Sequence, residues 1–422
     1  MTELLSPAGN MEKLQAALRF GADAVYLAGK SFGMRSAADN FTNEELALAA
    51  ELVHEKGKKI YLTVNTMPHG AEYDELRAYL KGLDGVGIDA MIVTDLGVMA
   101  TIRELLPEME IHISTQSSIV SPAAARAWAA LGAKRLVLAR ELNLDEVRAI
   151  RAAIPEDVEL EAFVHGSMCV SYSGRCMLSN HFTARDANRG ACTQPCRWNY
   201  TIVEEKRPDE RLPVIENENG TFIMSSKDMC MLRHIGELIE AGVTSFKIEG
   251  RMKSAYYTAV ITNAYRMAID AYLADPLGYV FDEALWREVE SVSHREYCTG
   301  YWFDDPRENP QLCTTPGYIR EKAYFAVALG DEALPSGLQR VTDEGTLYCF
   351  RQRNKVSVGD TAEVLTPGKI GQPFTVKELY DTEGNAIESA PHPLMHFFVR
   401  VPFAVSAGDI MRAGDEKEEG TV

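Results

Sequence analysis

Residues 161–197 read EAFVHGSMCVSYSGRCMLSNHFTARDANRGACTQPCR and hold Cys169, Cys176, Cys192 and Cys196, four of the eight cysteines of the chain; Cys230 follows in SSKDMC. Thiolates are soft ligands, and several from one region, interleaved with Gly166, Gly174 and Gly190 where the backbone must turn, suit an iron–sulfur cluster or zinc. The spacings are C-x6-C for Cys169 and Cys176 and C-x3-C for Cys192 and Cys196. No C-x2-C pair occurs, which weakens a zinc-ribbon reading. A radical-SAM cluster would need C-x3-C-x2-C, and Asn199 stands at its third position. Ordinary buried thiols are the bland alternative, and that reading suits Cys298, Cys313 and Cys349.

Hydrolase patterns fail at specific positions. The run His54-Glu55-Lys56-Gly57-Lys58 starts like a zincin helix but has Lys58 where the second histidine must reach the metal. Tyr172-Ser173-Gly174 resembles half a nucleophile elbow, with Ser171 at the first glycine position. Cys169 and His165 are close in sequence, but that does not place a base against a thiolate. A histidine packed at a strand end is the simpler reading of His165.

The elements that must position these residues form a regular alternation. Candidate strands are 3–6, 24–27, 59–64, 90–94, 111–114, 135–138, 159–164 and 244–248. Between them lie helical patterns at 11–20, 43–56, 73–83, 122–131 and 144–153, with apolar residues recurring three and four apart. Gly21, Gly57 and Gly132 follow three of these, as expected where a helix closes in a left-handed residue. Eight strand–helix units predict an α/β fold, a (β/α)8 TIM-like barrel, with a doubly wound open sheet as runner-up. The cysteine-rich insertion, 165–230, follows strand 7. Within it, 200–205 and 221–225 read as an excursion hairpin around a charged stretch, 206–219. Residues 255–274 read as a long closing helix. Alternating runs at 324–329, 346–351, 361–365, 374–379 and 397–403 predict a small C-terminal all-β barrel. The expected division is 1–297 for the barrel, 298–316 for a linker and 317–422 for the β-domain.

If every strand points its C-terminal end the same way, one rim carries Ser6, Asn65, Asp95, Thr115, Gln116, Arg140, Glu141, His165, Glu249 and Arg251, with Arg35 on the loop after strand 2. The segment Glu249-Gly250-Arg251-Met252-Lys253 lies where barrel enzymes often bind phosphate, and Arg251 with Arg140 could clamp carboxylates. A structural ion pair between Glu249 and Arg251 is the alternative. Tyr172, Trp198, Tyr301 and Trp302 are candidates for stacking on an unpaired base.

Of 422 residues, 46% are hydrophobic, ample for a core, and the net charge of −18 argues against general nucleic-acid binding. The insertion is locally basic, with Arg175, Arg185, Arg189 and Arg197 against Asp186 alone between 165 and 200. That contrast predicts an anion-attracting mouth on a repelling body. No signal peptide or apolar run of membrane length is expected, so the reading is cytoplasmic, in a compartment that keeps thiols reduced.

The run Glu161-Ala162-Phe163, Gly166-Ser167-Met168-Cys169, Gly174-Arg175-Cys176 and Ser179 resembles the signature of peptidase family U32, the collagenase-like proteases. The resemblance extends from Leu4-Leu5-Ser6-Pro7-Ala8-Gly9 and Asp23-Ala24-Val25-Tyr26, through Phe32-Gly33-Met34-Arg35 and Ser114-Thr115-Gln116, to Phe246-Lys247-Ile248-Glu249-Gly250-Arg251. That family includes bacterial proteins for prephenate-dependent 5-hydroxylation of the tRNA wobble uridine, the nearest match, and oxygen-independent ubiquinone hydroxylation factors. The resemblance implies a 4Fe-4S cluster on Cys169, Cys176, Cys192 and Cys230, with Cys196 as the alternative ligand and zinc as the alternative metal. It implies tRNA and prephenate, or a similar small dicarboxylate, as substrates, and allows a partner protein of the same family. The roles expected are catalytic for His165, Glu249 and Asp95, and substrate-binding for Arg35, Asn65, Gln116, Arg140, Arg251 and Lys253. A peptidase, a non-catalytic iron–sulfur or zinc scaffold, and a quinone-type hydroxylase are the competing classes.

Overall fold

The computed structural model describes residues 2–34, 39–169, 171–172, 174–198, 226–303, 318–319, 322–330 and 332–415, together with the backbone of 203–204, 207–211, 216–217 and 220–221. Seven parallel strands lead in chain order, β1 (Glu3–Pro7), β2 (Ala24–Ala28), β3 (Lys59–Val64), β4 (Ala90–Val93), β5 (Glu110–Ile113), β6 (Arg135–Val137) and β7 (Glu159–Ser167). Two short hairpins follow, β8 (Val203–Glu204) with β9 (Arg207–Arg211) and β10 (Glu216–Asn217) with β11 (Gly220–Thr221). The single hairpin expected from 200–205 and 221–225 is therefore replaced by two local ones within 203–221, since neighbouring segments close a turn at less entropic cost than distant ones. Next come β12 (Asp228–Cys230), β13 (Ser245–Ile248) and β14 (Tyr297–Cys298). Strand β13 pairs in parallel with both β1 and β7, which closes an eight-stranded barrel and removes the open-sheet alternative. Strand β12 adds antiparallel to the far end of β7, and β14 adds parallel to β12.

Helices α1 (Met11–Arg19), α2 (Asn43–Glu55), α3 (Tyr73–Lys81), α4 (Leu96–Leu105), α5 (Pro122–Ala130) and α6 (Leu144–Ala153) alternate with the strands. Their starts are written in the sequence. Thr42 with Glu45 and Asn143 with Glu146 form capping boxes, and Asn10 and Ser121 cap α1 and α5. The 20-residue α9 (Ala255–Ala274), capped by Ser254, is buried on most of its faces; α7 (Leu178–Thr183), α8 (Ile235–Glu240) and α10 (Glu283–Glu290) are shorter. Among the described residues no helix is long and apolar enough to cross a membrane.

Inside the barrel, Leu5, Ala24, Tyr26, Tyr61, Ala90 and Ile92 pack as one apolar layer. Below it, where the strands begin, Arg135 is only 2% exposed and is ringed by carboxylates. It binds Glu3 at 2.5 Å, Glu159 at 2.7 Å and Glu161 at 3.1 Å, and Lys247 reaches the other oxygen of Glu161 at 2.6 Å. Burial opposes the Glu161 charge, but Lys247 and Arg135 hold its carboxyl below the usual range.

The rest of the chain is a curled antiparallel sheet. Its strands and short flanking ladders are β15 (Tyr324–Gly330), β16 (Val341–Thr342), β17 (Gly345–Gln352), β18 (Val356–Ser357), β19 (Thr361–Leu365), β20 (Gln372–Thr375), β21 (Leu379–Tyr380), β22 (Ala386–Ile387), β23 (Ser389–Ala390), β24 (His396–Val401) and β25 (Ile410–Ala413). Phe350, Val364, Phe397, Val399 and Met411 lie in its own core. Arg412 of β25 reaches across to Glu288 of α10 at 2.7 Å while also binding Glu363 of β19 and the Ser291 hydroxyl at 2.9 Å. Asn263 of α9 holds the 368–369 turn through two backbone hydrogen bonds of 2.8 Å. Most of the expected linker, 304–317, lies outside the described residues, as does Cys313.

Replacing Arg135 by leucine should lower the free energy of unfolding by about 3–5 kcal/mol, because Glu161 and Glu3 would keep their charge in a buried site without its partner. Equilibrium denaturation in urea checks this, and a loss below 1 kcal/mol would mean that water or Lys247 takes over the role.

Candidate functional site

Strand β7 is long because it serves two neighbours. Its middle pairs with β13 from Glu161 to Phe163; the register then slips so that Ile248 meets His165, and from His165 to Ser167 β7 also pairs with β12. Gly166 takes φ 106°, and a Cβ there would stand 2.6 Å from the Glu249 carbonyl oxygen. Only glycine lets the strand leave the barrel so close to the β13 end. The cysteine stretch then folds back over the rim. At Gly174, φ is 75° and a Cβ would meet the Gln116 carbonyl at 2.5 Å.

Hydrogen bonds within the stretch gather its cysteines. Asn188 donates to the Cys176 carbonyl at 2.9 Å, the Ser179 hydroxyl accepts from the Thr193 amide at 3.1 Å, and the Gln194 amide donates to the Cys192 sulfur at 3.4 Å. Arg189 pairs with Glu72, so the stretch is also tied to the segment leading into α3. Cys169 is exposed, and Cys176, Cys192 and Cys196 are half-buried. Burial pushes the Cys196 thiol up, and Cys169, Cys192 and Cys176 all act on it in the same direction, whereas Arg197 pulls it down. Cys230 is buried on β12, its thiol pushed up to about 12 by burial, with Tyr265 and Cys298 acting on it. Among the described residues no three His, Cys, Asp or Glu side chains converge as a finished metal site. Four sulfurs on one stretch, with hydrogen bonds around them and to one of them, are nevertheless a donor set of the kind that iron–sulfur clusters use.

The rim residues divide. Asp95 caps α4, accepting from the Gly97 amide at 2.8 Å, the Val98 amide at 3.1 Å and the Tyr73 hydroxyl at 3.1 Å. Asn65 accepts from the Met34 amide at 3.0 Å and so holds the loop after β2; Arg35 itself lies outside the described residues. Gln116 lies beneath Gly174, with its Oε1 buried and without a partner among the described residues. Arg140 donates to the Ser167 carbonyl at 3.0 Å and lies over the Phe163 ring. Arg251 is 4% exposed, with Nη1 3.5 Å from the Thr63 hydroxyl. Glu249 donates its amide to the His165 carbonyl at 2.8 Å, and its own carbonyl accepts from Tyr257 at 2.9 Å.

His165 is buried among Tyr257, Tyr265 and Tyr297, with ring centroids at 6.0, 5.5 and 5.3 Å. Burial drives its pKa down to about 3, so the ring is neutral. Nδ1 lies 3.4 Å from the Tyr265 hydroxyl, and Nε2 has no partner among the described residues. Lys253 donates to the Ser293 carbonyl at 2.9 Å and lies over the Tyr318 and Tyr257 rings at 4.3 and 5.2 Å. Burial lowers its pKa to about 8, with Arg295 and Arg197 acting the same way against Asp228 and Glu249.

Two residues at this corner escaped the sequence reading. Asp228 and Arg295 form a buried pair, with Nη2 2.6 Å and Nε 2.9 Å from Oδ1. Arg295 holds the Asp228 carboxyl below its usual range against the opposing effect of burial. Glu141, read only as a rim residue, has its carboxyl pushed up by burial and its Oε2 unpartnered among the described residues. Asp228 stands two residues before Cys230, and that proximity was the available signal.

The fold and site together define a (β/α)8 barrel protein whose mouth is covered by a cysteine-bearing excursion from its seventh strand. The chain belongs to peptidase family U32: residues 9–311 match Peptidase family U32, and residues 336–412 match Peptidase family U32 C-terminal domain. It is 38% identical to tRNA hydroxylation protein P1 of Bacillus subtilis over 98% of this chain and 94% of that protein. It is 35% identical to tRNA hydroxylation protein P of Escherichia coli over 92% and 91%. A third relative, the 23S rRNA 5-hydroxycytidine C2501 synthase of Escherichia coli, is 41% identical over 65% of this chain and 40% of its own length.

A neutral buried histidine has a consequence for stability. Between the folded pKa of about 3 and an unfolded value near ~6.5, the unfolded chain binds one more proton, so stability falls as pH falls through that window by roughly 1 kcal/mol per unit. Denaturation at pH 7.0 and 5.5 should show this slope in the native chain and a shallower one in His165→Gln. Equal slopes would place a charged ring at this position.

Proposed function

We propose that this chain is an iron–sulfur protein and tRNA-modifying enzyme acting in oxygen-independent, prephenate-dependent 5-hydroxylation of the wobble uridine. The observation that carries the reading is the match, over nearly the whole of both chains, to proteins named for tRNA hydroxylation. The relative named for 5-hydroxycytidine in rRNA supports a pyrimidine in RNA as the target class.

Cys169, Cys176 and Cys192 would hold a 4Fe-4S cluster. The shared surroundings of Cys196 favour it as the fourth ligand over Cys230, whose thiol lies against Tyr265. When bound, such a cluster supplies electron transfer or Lewis-acid activation of a substrate oxygen. The chain's own groups supply binding and proton handling. Arg140 and Arg251 at the mouth offer planar donor forks that match the two carboxylates of prephenate. Lys253, with a pKa of about 8, can exchange a proton near neutral pH, and neutral His165 can accept a hydrogen bond at its open Nε2. The tyrosines around His165 keep bulk water away from it.

A peptidase would need a nucleophile in reach of a base. Among the described residues no cysteine or serine is hydrogen-bonded to His165, whose polar neighbour is Tyr265. The family description alone therefore carries less weight here than the relatives' names.

Two measurements test the proposal. Deleting the gene should remove 5-hydroxyuridine and its derivatives from total tRNA, as read by nucleoside mass spectrometry; unchanged levels would sink the assignment. Anaerobically purified protein should contain about four irons and four sulfides. That content should be lost in Cys169→Ala, Cys176→Ala, Cys192→Ala and Cys196→Ala and kept in Cys230→Ala. The reverse result for the last two variants would return the fourth position to Cys230, and one zinc without sulfide would remove the redox centre.

A further inference from the structure

The surface of the cysteine excursion carries more than thiols. Met177 is 67% exposed, Tyr172 51%, Phe182 48% and Trp198 41%, an unusual concentration of large apolar side chains on so small a segment. Phe182 contacts His181 edge-on at 5.1 Å between centroids and Trp198 at 6.3 Å. Met177, Leu178, Asn180, His181 and Phe182 line an open groove of about 420 Å³, within the size range of small-ligand clefts.

Charge identifies the occupant. Arg189 is paired with Glu72, and Arg197 bonds Gln194 and the Tyr318 hydroxyl at 2.8 and 3.2 Å. Asp186, the one acidic residue of 165–200, has an oxygen committed to the Asn188 amide at 2.8 Å. Arg175 and Arg185 are exposed and form no ion pair among the described residues, and they stand in the chain just before and just after α7, whose residues line the groove. The chain as a whole carries −18. A polyanion is therefore repelled by most of this molecule and attracted at this patch. Exposed aromatics and exposed arginines on one short excursion fit an unpaired base with phosphates on either side of it, since every base offers a face for stacking and each phosphate takes a guanidinium. A protein partner of ordinary size would bury a wider surface than this groove.

We propose that the groove on α7, with Phe182 and Trp198 as stacking faces and Arg175 and Arg185 as phosphate contacts, seats an unpaired nucleotide of single-stranded RNA. This rests on the RNA-modifying reading above and gives it a docking site. The nucleotide seated here flanks the target, which must itself reach the barrel mouth.

Fluorescence anisotropy on the full, anaerobically purified chain tests this with a labelled 17-nucleotide anticodon stem–loop and a fully paired RNA duplex of equal length. The stem–loop should bind more tightly than the duplex. Phe182→Leu and Trp198→Leu, which keep apolar bulk but remove the ring, should each weaken stem–loop binding about tenfold, and Phe182→Tyr should preserve it. Arg185→Gln should reduce the slope of log affinity against log salt by about 0.7. Iron content, equal to that of the native chain, confirms that each variant folds. The proposal is overturned if the native chain fails to bind the stem–loop, or if both leucine variants bind it as well as the native chain. It is equally overturned if those variants alter only the mass of the protein's own assemblies in light scattering, which would make the groove a protein contact. Ring-dependent binding in a chain whose deletion leaves 5-hydroxyuridine intact would support the groove while removing the hydroxylation reading.

Discussion

The structure depends on how strand β7 divides its hydrogen bonds. A parallel barrel closes only if its seventh strand meets its eighth, yet the residues after it must leave the barrel to cover the mouth. The slip before Ile248 resolves the conflict within a few residues: β13 follows β7 as far as His165, and β12 pairs with β7 from His165 to Ser167. At the exit the Glu249 amide is satisfied by the His165 carbonyl. The same exchange buries His165 and brings Asp228, two residues from Cys230, to the corner where Lys253 and Arg295 lie.

The two ends of the barrel treat charge differently. At the strand starts, Arg135, Glu3, Glu159, Glu161 and Lys247 satisfy one another, an arrangement that fixes side chains and leaves little capacity for a ligand. At the strand ends, polar groups are only partly engaged: the Nε2 of His165, the Oε1 of Gln116 and the Oε2 of Glu141 are buried without partners among the described residues. Buried polar atoms without partners are costly in a folded protein, and these three are groups at the strand ends that a bound molecule's polar atoms would satisfy.

Much of this was legible from pattern alone. Each barrel strand was a short apolar run at regular pitch, and each was found within a few residues of its expected place because parallel strands buried on both faces must be apolar. Asp228–Cys230 was not legible as a strand: three residues carry no period, and its partner Gly166 is more than sixty positions away. Helix α4 was hidden for a related reason, its pattern following the strand without a break, and Asp95 looked like a rim acid when its spacing to Gly97 and Val98 was that of a helix cap. The cysteines announced themselves by type and number. Which of them share surroundings is a matter of chain path, which no spacing in the sequence gives.

Arg412 joins the C-terminal sheet to the barrel through groups that neither part could leave unpaired. Its guanidinium, 1% exposed, answers Glu363 on its own sheet and Glu288 on α10. Pulling the two parts asunder would strand a carboxylate on one side and expose the apolar seam around Tyr256 and Tyr324, whose rings stack at 5.4 Å. Two bodies joined in that way melt together, so the chain is expected to behave as one cooperative unit despite its two cores, with heat uptake in a single peak.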